Sequence, residues 1–178
     1  MARRSRYAAR VARILTVTVS DSRVSADDAS GRALREELSA HTLLEHVIVP
    51  DEPARIEAVV RDAQVSADAV VMTGGTGIAP RDQTYDTLTR MFEKELPGFG
   101  EAFRRLSWDE IGPRAVLSRA AAGTVGSLVV FSLPGSTKAA RLGARELIAP
   151  IVAHATDLAQ GRSGHGRGHG HAGAGDKP

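Results

Sequence analysis

The stretch VVMTGGTGIAPRDQTYDTLTRMF, Val70 to Phe92, passes from an apolar run through a glycine loop into a helical repeat without interruption. Ala69 to Thr73 is short and rich in β-branched residues, the pattern of a strand covered on both faces, and Gly74, Gly75 and Gly77 end it. Beyond the loop, Tyr85, Leu88, Met91 and Phe92 recur at helical spacing, with Asp82 a candidate N-cap. In open α/β sheets such a strand-to-helix turn is where backbone N–H groups and a helix N-terminus meet an anion, so Gly74 to Gly77, with Thr76 among them, are candidate ligand contacts. A tight turn with Asp82 serving only as a cap accounts for the same residues. The loop lacks the third glycine of the dinucleotide fingerprint and the Lys-Ser or Lys-Thr of a P-loop, so it is neither common nucleotide motif.

The same unit recurs along the chain. Ile14 to Ser20 reads as a first, centrally buried strand. Ser20 and Asp21 stand at its carboxyl end, as substrate contacts or as simple turn residues. Ser30 is placed to cap a helix through Gly31, Leu34 and Leu38, ending near His41. Leu43 to Val49 is the second strand, and Pro53 fits the first position of a helix whose apolar face is Ile56, Val59, Val60 and Ala63. Asp51 lies at that junction, where turn and cap chemistry already explain it. With the central unit this gives β-α-β-α-β-α, a parallel sheet with right-handed crossovers.

Phe99, Phe103 and Leu106 then mark a helix within Leu96 to Trp108. Val116 to Arg119 is either a helix remnant or the approach to a strand, and Ala121 to Val125 pairs with Ser127 to Leu133 through Gly126 as a β-hairpin. Pro134, Gly135, Ser136 and Thr137 form a second strand-to-helix turn, with Ser136 or Thr137 capping a helix to about Ala149. Lys138 brings a cation to that helix N-terminus, unfavourable by a few tenths to about 1 kcal/mol, which an anionic ligand would offset; an exposed lysine at a tolerated cost is the other reading. Pro150 opens a short last helix, Ile151 to Leu158.

A chain of 178 residues with 42% hydrophobic content supports one core, and the absence of cysteine removes thiolate metal sites and cysteine nucleophiles. The pI of about 9.4 suggests nucleic acid until the charge is located. Five arginines precede residue 14 and the tail from Gly161 carries +2, so with a total of +2 residues 14–160 carry −5. That body, with only 4% aromatic residues, suits neither a phosphate backbone nor base stacking, and no nucleic-acid partner is expected. No apolar run is long enough for a membrane span, and a cytoplasmic protein is expected. The expected organisation is a disordered basic tail at 1–12, a single domain at 13–160 and a disordered glycine- and histidine-rich tail at 161–178, whose His165, His169 and His171 bind metal only opportunistically.

Thr73 to Thr84, TGGTG-x3-RD-x-T, together with LPGSTKAA at Leu133 to Ala140, resembles the molybdopterin-binding family of MoaB and Mog proteins, with the MoaB-like branch nearer. The opening TVSDSR followed by Asp28 to Gly31, the junction Val49 to Glu52 and the segment Pro97 to Glu101 match further motifs of that family in order. The resemblance implies a three-layer α/β/α sandwich, as the residue patterns do, and a role in molybdenum cofactor biosynthesis through Mg-ATP-dependent adenylylation of molybdopterin, or molybdopterin binding without turnover. Carried over by motif, Asp51 and Asp82 are the essential carboxylates and Mg²⁺ ligands. Ser30, Gly31, Glu101, Gly74 to Gly77, Pro134 to Ser136 and Lys138 are substrate or nucleotide contacts. A homotrimer or homohexamer, working with other cofactor-synthesis proteins, is implied in the same way.

Overall fold

The computed structural model describes residues 11–22 and 25–162. Six strands form one sheet: β1 (Arg13–Val19), β2 (Thr42–Val49), β3 (Ala69–Thr73), β4 (Lys94–Glu95), β5 (Ala121–Val125) and β6 (Leu128–Leu133), in spatial order β2-β1-β3-β6-β5-β4. The first three strands and β6 run parallel, while β5 is antiparallel to β6 and to β4. Gly126, at φ +60°, makes the two-residue turn of the β5–β6 hairpin.

The helices are α1 (Ala29–Glu37), α2 (Pro53–Ser66), α3 (Thr84–Met91), α4 (Pro97–Ile111), α5 (Thr137–Gly143) and α6 (Ala149–Ala159). Alternation along the central strands divides the core. Ile14, Val71 and Phe131 pack with Leu34, Phe103 and Val152, beneath α1, α4, α5 and α6. Val17, Val70, Met72 and Val130 pack on the other face with Ile56, Val60 and Leu88 of α2 and α3. The result is the expected three-layer α/β/α sandwich. Strand order reverses beside β1: α1 leads from β1 outward to β2 across one face, and α2 leads back over β1 to β3 across the other. The carboxyl ends of β1 and β3 therefore border the crevice that such a reversal opens.

Two local expectations change and one open alternative is settled. Ser30 does not cap α1; Asp28 does, its carboxylate accepting the Gly31 N–H at 2.8 Å, while Ser30 is buried inside the helix and donates its hydroxyl to the same carboxylate. The helix expected to end near Ala149 continues to Ala159 through a π turn at Ala144–Ile148. Pro150 lacks an N–H and its ring would clash with the carbonyl four residues back, and the wider turn absorbs both defects without breaking the helix. Of the two readings of Val116 to Arg119, the helical one holds for Val116 and Leu117, which belong to a 3₁₀ segment, Gly112–Leu117. The proposed tails lie outside the described residues apart from 11, 12, 161 and 162, and Ala12 is buried against the core. Among the described residues no helix is long and apolar enough to cross a membrane.

Candidate functional site at the carboxyl ends of the parallel strands

Register brings four strand ends to one rim: Val19 pairs with Val49, Thr18 with Thr73, and Thr73 with Leu133. The residues after those ends line a cleft of about 480 Å³. Ser20 and Asp21 come from β1, Asp51 from β2, Gly74, Gly75 and Asp82 from the β3–α3 loop, and Gly135 and Ser136 from the turn after β6. The loops are fastened to one another. Gly74 N–H donates to Leu133 O at 3.0 Å and the Thr73 hydroxyl to Pro134 O at 2.8 Å, which seats the second turn so close that a Cβ at Gly135 would sit 3.2 Å from Gly74 Cα.

Gly74 and Gly75 have φ of +107° and +64°, so the chain reverses here through backbone that other residues rarely adopt. A Cβ on Gly75 would meet Thr84 Oγ1 and the carboxylate of Asp51. No hydrogen bond among the described residues uses the amides of Gly75, Thr76 or Gly77. Three successive donors without a protein partner suit an anion. Thr76 itself is buried.

Three carboxylates reach this rim. Asp51 N–H donates to Asp21 Oδ1 at 2.9 Å, and Asp51 Oδ1 accepts from Gln83 N–H at 3.1 Å and from the Thr84 hydroxyl at 3.2 Å. Burial pushes the Asp51 carboxyl up; the bonds from Gln83 and Thr84 pull it back, and the charges of Asp82 and Asp21 push it up further, leaving it above the ordinary range. Asp82 does not cap α3, which begins after Gln83 with no side-chain cap; its Oδ2 accepts Ala79 N–H at 2.9 Å and closes the loop on itself. Ser136 does cap α5, accepting Ala139 N–H at 3.2 Å.

Residues 15–154 match the family described as "Probable molybdopterin binding domain". The chain belongs to this family. It is 43% identical over 152 residues to molybdenum cofactor biosynthesis protein B of Halalkalibacterium halodurans, covering 83% of this chain and 89% of that one. Its fold is similar to a solved molybdenum cofactor biosynthesis protein B, with TM-score 0.83, 40% identity and coverage of 86% and 99%. It is similar also to the tungsten cofactor synthesizing protein MoaB from Pyrococcus furiosus, with TM-score 0.78, 39% identity and coverage of 86% and 99%.

Within this molybdopterin-binding domain, seven residues singled out by motif do not line the cleft; three of them, Thr76, Gly77 and Pro134, line a second cavity that shares Gly75, Asp82, Gly135 and Ser136 with it. Ser30 and Gly31 face the other way into a buried lock, where a Cβ at Gly31 would strike Asp28 and His46. His46 bonds Asp28 Oδ2 at 2.8 Å and Thr16 Oγ1 at 2.9 Å, so the Asp-Ala-Ser-Gly segment fastens α1 to β1 and β2. Glu101 is exposed on α4, and Lys138 is exposed on the first turn of α5. Among the described residues the cation lining the cleft is instead Arg81, which lies inside the Thr73 to Thr84 motif beside Asp82. Arg119 was missed altogether: it holds the glycine loop from behind, and nothing in the sequence near it announces that contact.

Proposed function

We propose that the protein acts in molybdenum cofactor biosynthesis and adenylylates molybdopterin with Mg-ATP. The observation that carries this reading is that Asp51 and Asp82 line the same cleft as Gly74 and Gly75, beside loop amides without a protein partner. The name of the relatives, molybdenum cofactor biosynthesis protein B, supports the pathway.

In the reaction, an oxygen of the terminal phosphate of molybdopterin forms a bond to the α-phosphorus of ATP. The bond from that phosphorus to the bridging oxygen breaks, and pyrophosphate leaves with the electron pair. A phosphate nucleophile is already anionic near neutral pH, so no general base is required. The work left to the protein is positioning and charge neutralisation. The amides of Gly75, Thr76 and Gly77 bind phosphate oxygens, Arg81 offsets their charge, and Ser20, Pro134, Gly135 and Ser136 border the substrates.

The donor set fits Mg²⁺. Asp51 and Asp82 offer hard carboxylate oxygens, and a divalent cation would relieve the crowding of negative charge that raises the Asp51 pKa. Among the described residues no three His, Cys, Asp or Glu side chains are grouped to hold a metal by themselves. The ion would therefore share these carboxylates with phosphate oxygens, as Mg²⁺ in nucleotide sites does, where it neutralises charge on the transferring group. Assembly as a homotrimer or homohexamer, alongside other cofactor-synthesis proteins, belongs to the same proposal.

One observation favours molybdopterin binding without turnover: among the described residues the cleft lining sets a single cation, Arg81, against Asp21, Asp51 and Asp82. Pyrophosphate release from Mg-ATP in the presence of molybdopterin decides. Release that requires the pterin establishes the transferase; protein that binds the pterin and releases none is a binding protein.

A further inference from the structure

We propose that Arg119 is a positioning residue for the anion loop, turning its carbonyls outward so that its amides face the ligand. This rests on the reading of the cleft as a phosphate site. Arg119 lies between the 3₁₀ segment and β5, outside the cleft lining, with Ala120 beside it buried. Its Nε donates to Gly77 O at 3.1 Å and to Thr76 O at 3.4 Å, and its Nη2 also donates to Gly77 O. Its Nη1 reaches both carboxylate oxygens of Asp86 at 3.0 Å, and its guanidinium lies 4.6 Å from the ring centre of Tyr85. Asp86 and Tyr85 belong to the first turn of α3. One planar group thus fixes the loop against the helix that follows it.

Peptide geometry converts this grip into an orientation of donors. In a trans peptide the C=O of one residue and the N–H of the next point in opposite directions. With the carbonyls of Thr76 and Gly77 drawn to Arg119, the N–H groups of Gly77 and Ile78 point to the opposite side of the loop. Neither of those amides has a partner among the described residues. If the two peptides rotated, their carbonyl oxygens would face the anion and repel it. Glycine makes such rotation easy, because Gly74, Gly75 and Gly77 place few steric limits on the backbone. A loop this free requires an external hold, and the fork of a guanidinium supplies several donors in one fixed plane.

The test uses the full chain, with Arg119→Lys and Arg119→Ala read in two ways. Hydrogen exchange in the free protein follows the bonded amides of the loop: Gly74, Ala79, Asp82 and Thr84. Calorimetric titration follows Mg-ATP. In both variants loop exchange is expected to quicken about tenfold or more while exchange in β1 and β6 is unchanged, and Mg-ATP affinity is expected to weaken by a similar factor. Lysine is not expected to rescue, since one ammonium cannot span two carbonyls and Asp86. Should Arg119→Ala fail to fold, Asp86→Asn removes one anchor of the guanidinium and is expected to give the same two changes in smaller measure. Unchanged loop exchange overturns the proposal, and so does wild-type affinity in a variant whose loop has loosened. If wild-type protein binds no Mg-ATP, the nucleotide reading fails separately, and inorganic pyrophosphate takes its place: binding lost in the variants supports the role of Arg119, and binding equal to or absent like that of the wild type overturns it.

Discussion

Asp51 and Thr84, on different βα units, share a hydrogen bond of 3.2 Å between carboxylate and hydroxyl. Asp51 follows β2 at the edge of the sheet, and Thr84 opens α3, which belongs to β3 two strands away. Asp51 is therefore not a cap of its own helix: α2 starts after Glu52 with no side-chain cap at all. Its carboxylate ties one strand end to the start of another unit's helix and still borders the cleft.

Asp51→Asn keeps acceptors for Gln83 and Thr84 and removes only the charge. Because burial, and then Asp82 and Asp21, raise the folded pKa above that of the unfolded chain, the folded state binds this proton more tightly. The resulting stability is complete below the unfolded pKa and is lost as pH rises through the folded one. In neutral buffer without divalent cation, thermal scans are expected to show the variant melting at or above the wild type, while pyrophosphate release falls by orders of magnitude. Added Mg²⁺ is expected to raise the melting temperature of the wild type and not that of the variant. A variant several degrees less stable, with activity retained, contradicts this assignment.

Gly75→Ala forces a side chain into backbone at φ +64° and against Thr84 and Asp51. A loss of about 1–3 kcal/mol in urea unfolding is expected, with Mg-ATP binding abolished because the added methyl displaces the Asp51 carboxylate. Gly98→Ala is the control. Nothing lies within 4 Å of its Cβ position and it sits in the first turn of α4, so a gain of up to about 1 kcal/mol is expected.

Arg81→Ala and Lys138→Ala separate a cleft cation from a surface one. Arg81 lines the cleft and its loss is expected to weaken Mg-ATP binding about tenfold. Lys138, exposed on the first turn of α5, is expected to leave binding unchanged and stability within about 0.5 kcal/mol. A larger effect at Lys138 than at Arg81 in parallel titrations would reverse the assignment.

Asp28→Ala tests the buried lock beneath α1. Burial raises the carboxyl, but bonds from Thr18, the Gly31 amide, His46 and Ser30 outweigh it and hold the pKa at about 2. A folded pKa below the unfolded one gives stability that is present above the unfolded pKa and lost as pH falls toward about 2. The variant loses a helix cap and strands buried donors, so a loss of about 2–4 kcal/mol at neutral pH is expected by urea unfolding. Its stability between about pH 4 and pH 2 should also change less than that of the wild type.

The sequence by itself determined the strand-to-helix turns, the parallel order of the first three units, the β5–β6 hairpin and the loop where Gly74 and Gly75 take positive φ. These are local matters: periodicities of two and 3.6, and glycine where a turn ends a strand, are written within a few neighbouring residues. The family motifs named candidate residues on segments that local patterns cannot relate, and of these Ser20, Asp21, Asp51, Gly74, Gly75, Asp82, Gly135 and Ser136 line one cleft. What only the tertiary structure decided are contacts between distant segments. That Asp51 meets Thr84, that Asp28 locks onto His46 and so takes the capping role expected of Ser30, and that Arg119 grips the carbonyls of Thr76 and Gly77 all follow from strand order and register. Asp82 shows the same limit at short range. Its spacing suited a helix cap, yet once Asp51 accepts the Gln83 amide, α3 starts one residue later and the Asp82 carboxylate turns back to Ala79. A residue's hydrogen-bonding capacity is set by its side chain, but which partner it finds depends on what the folded chain brings within about 3 Å.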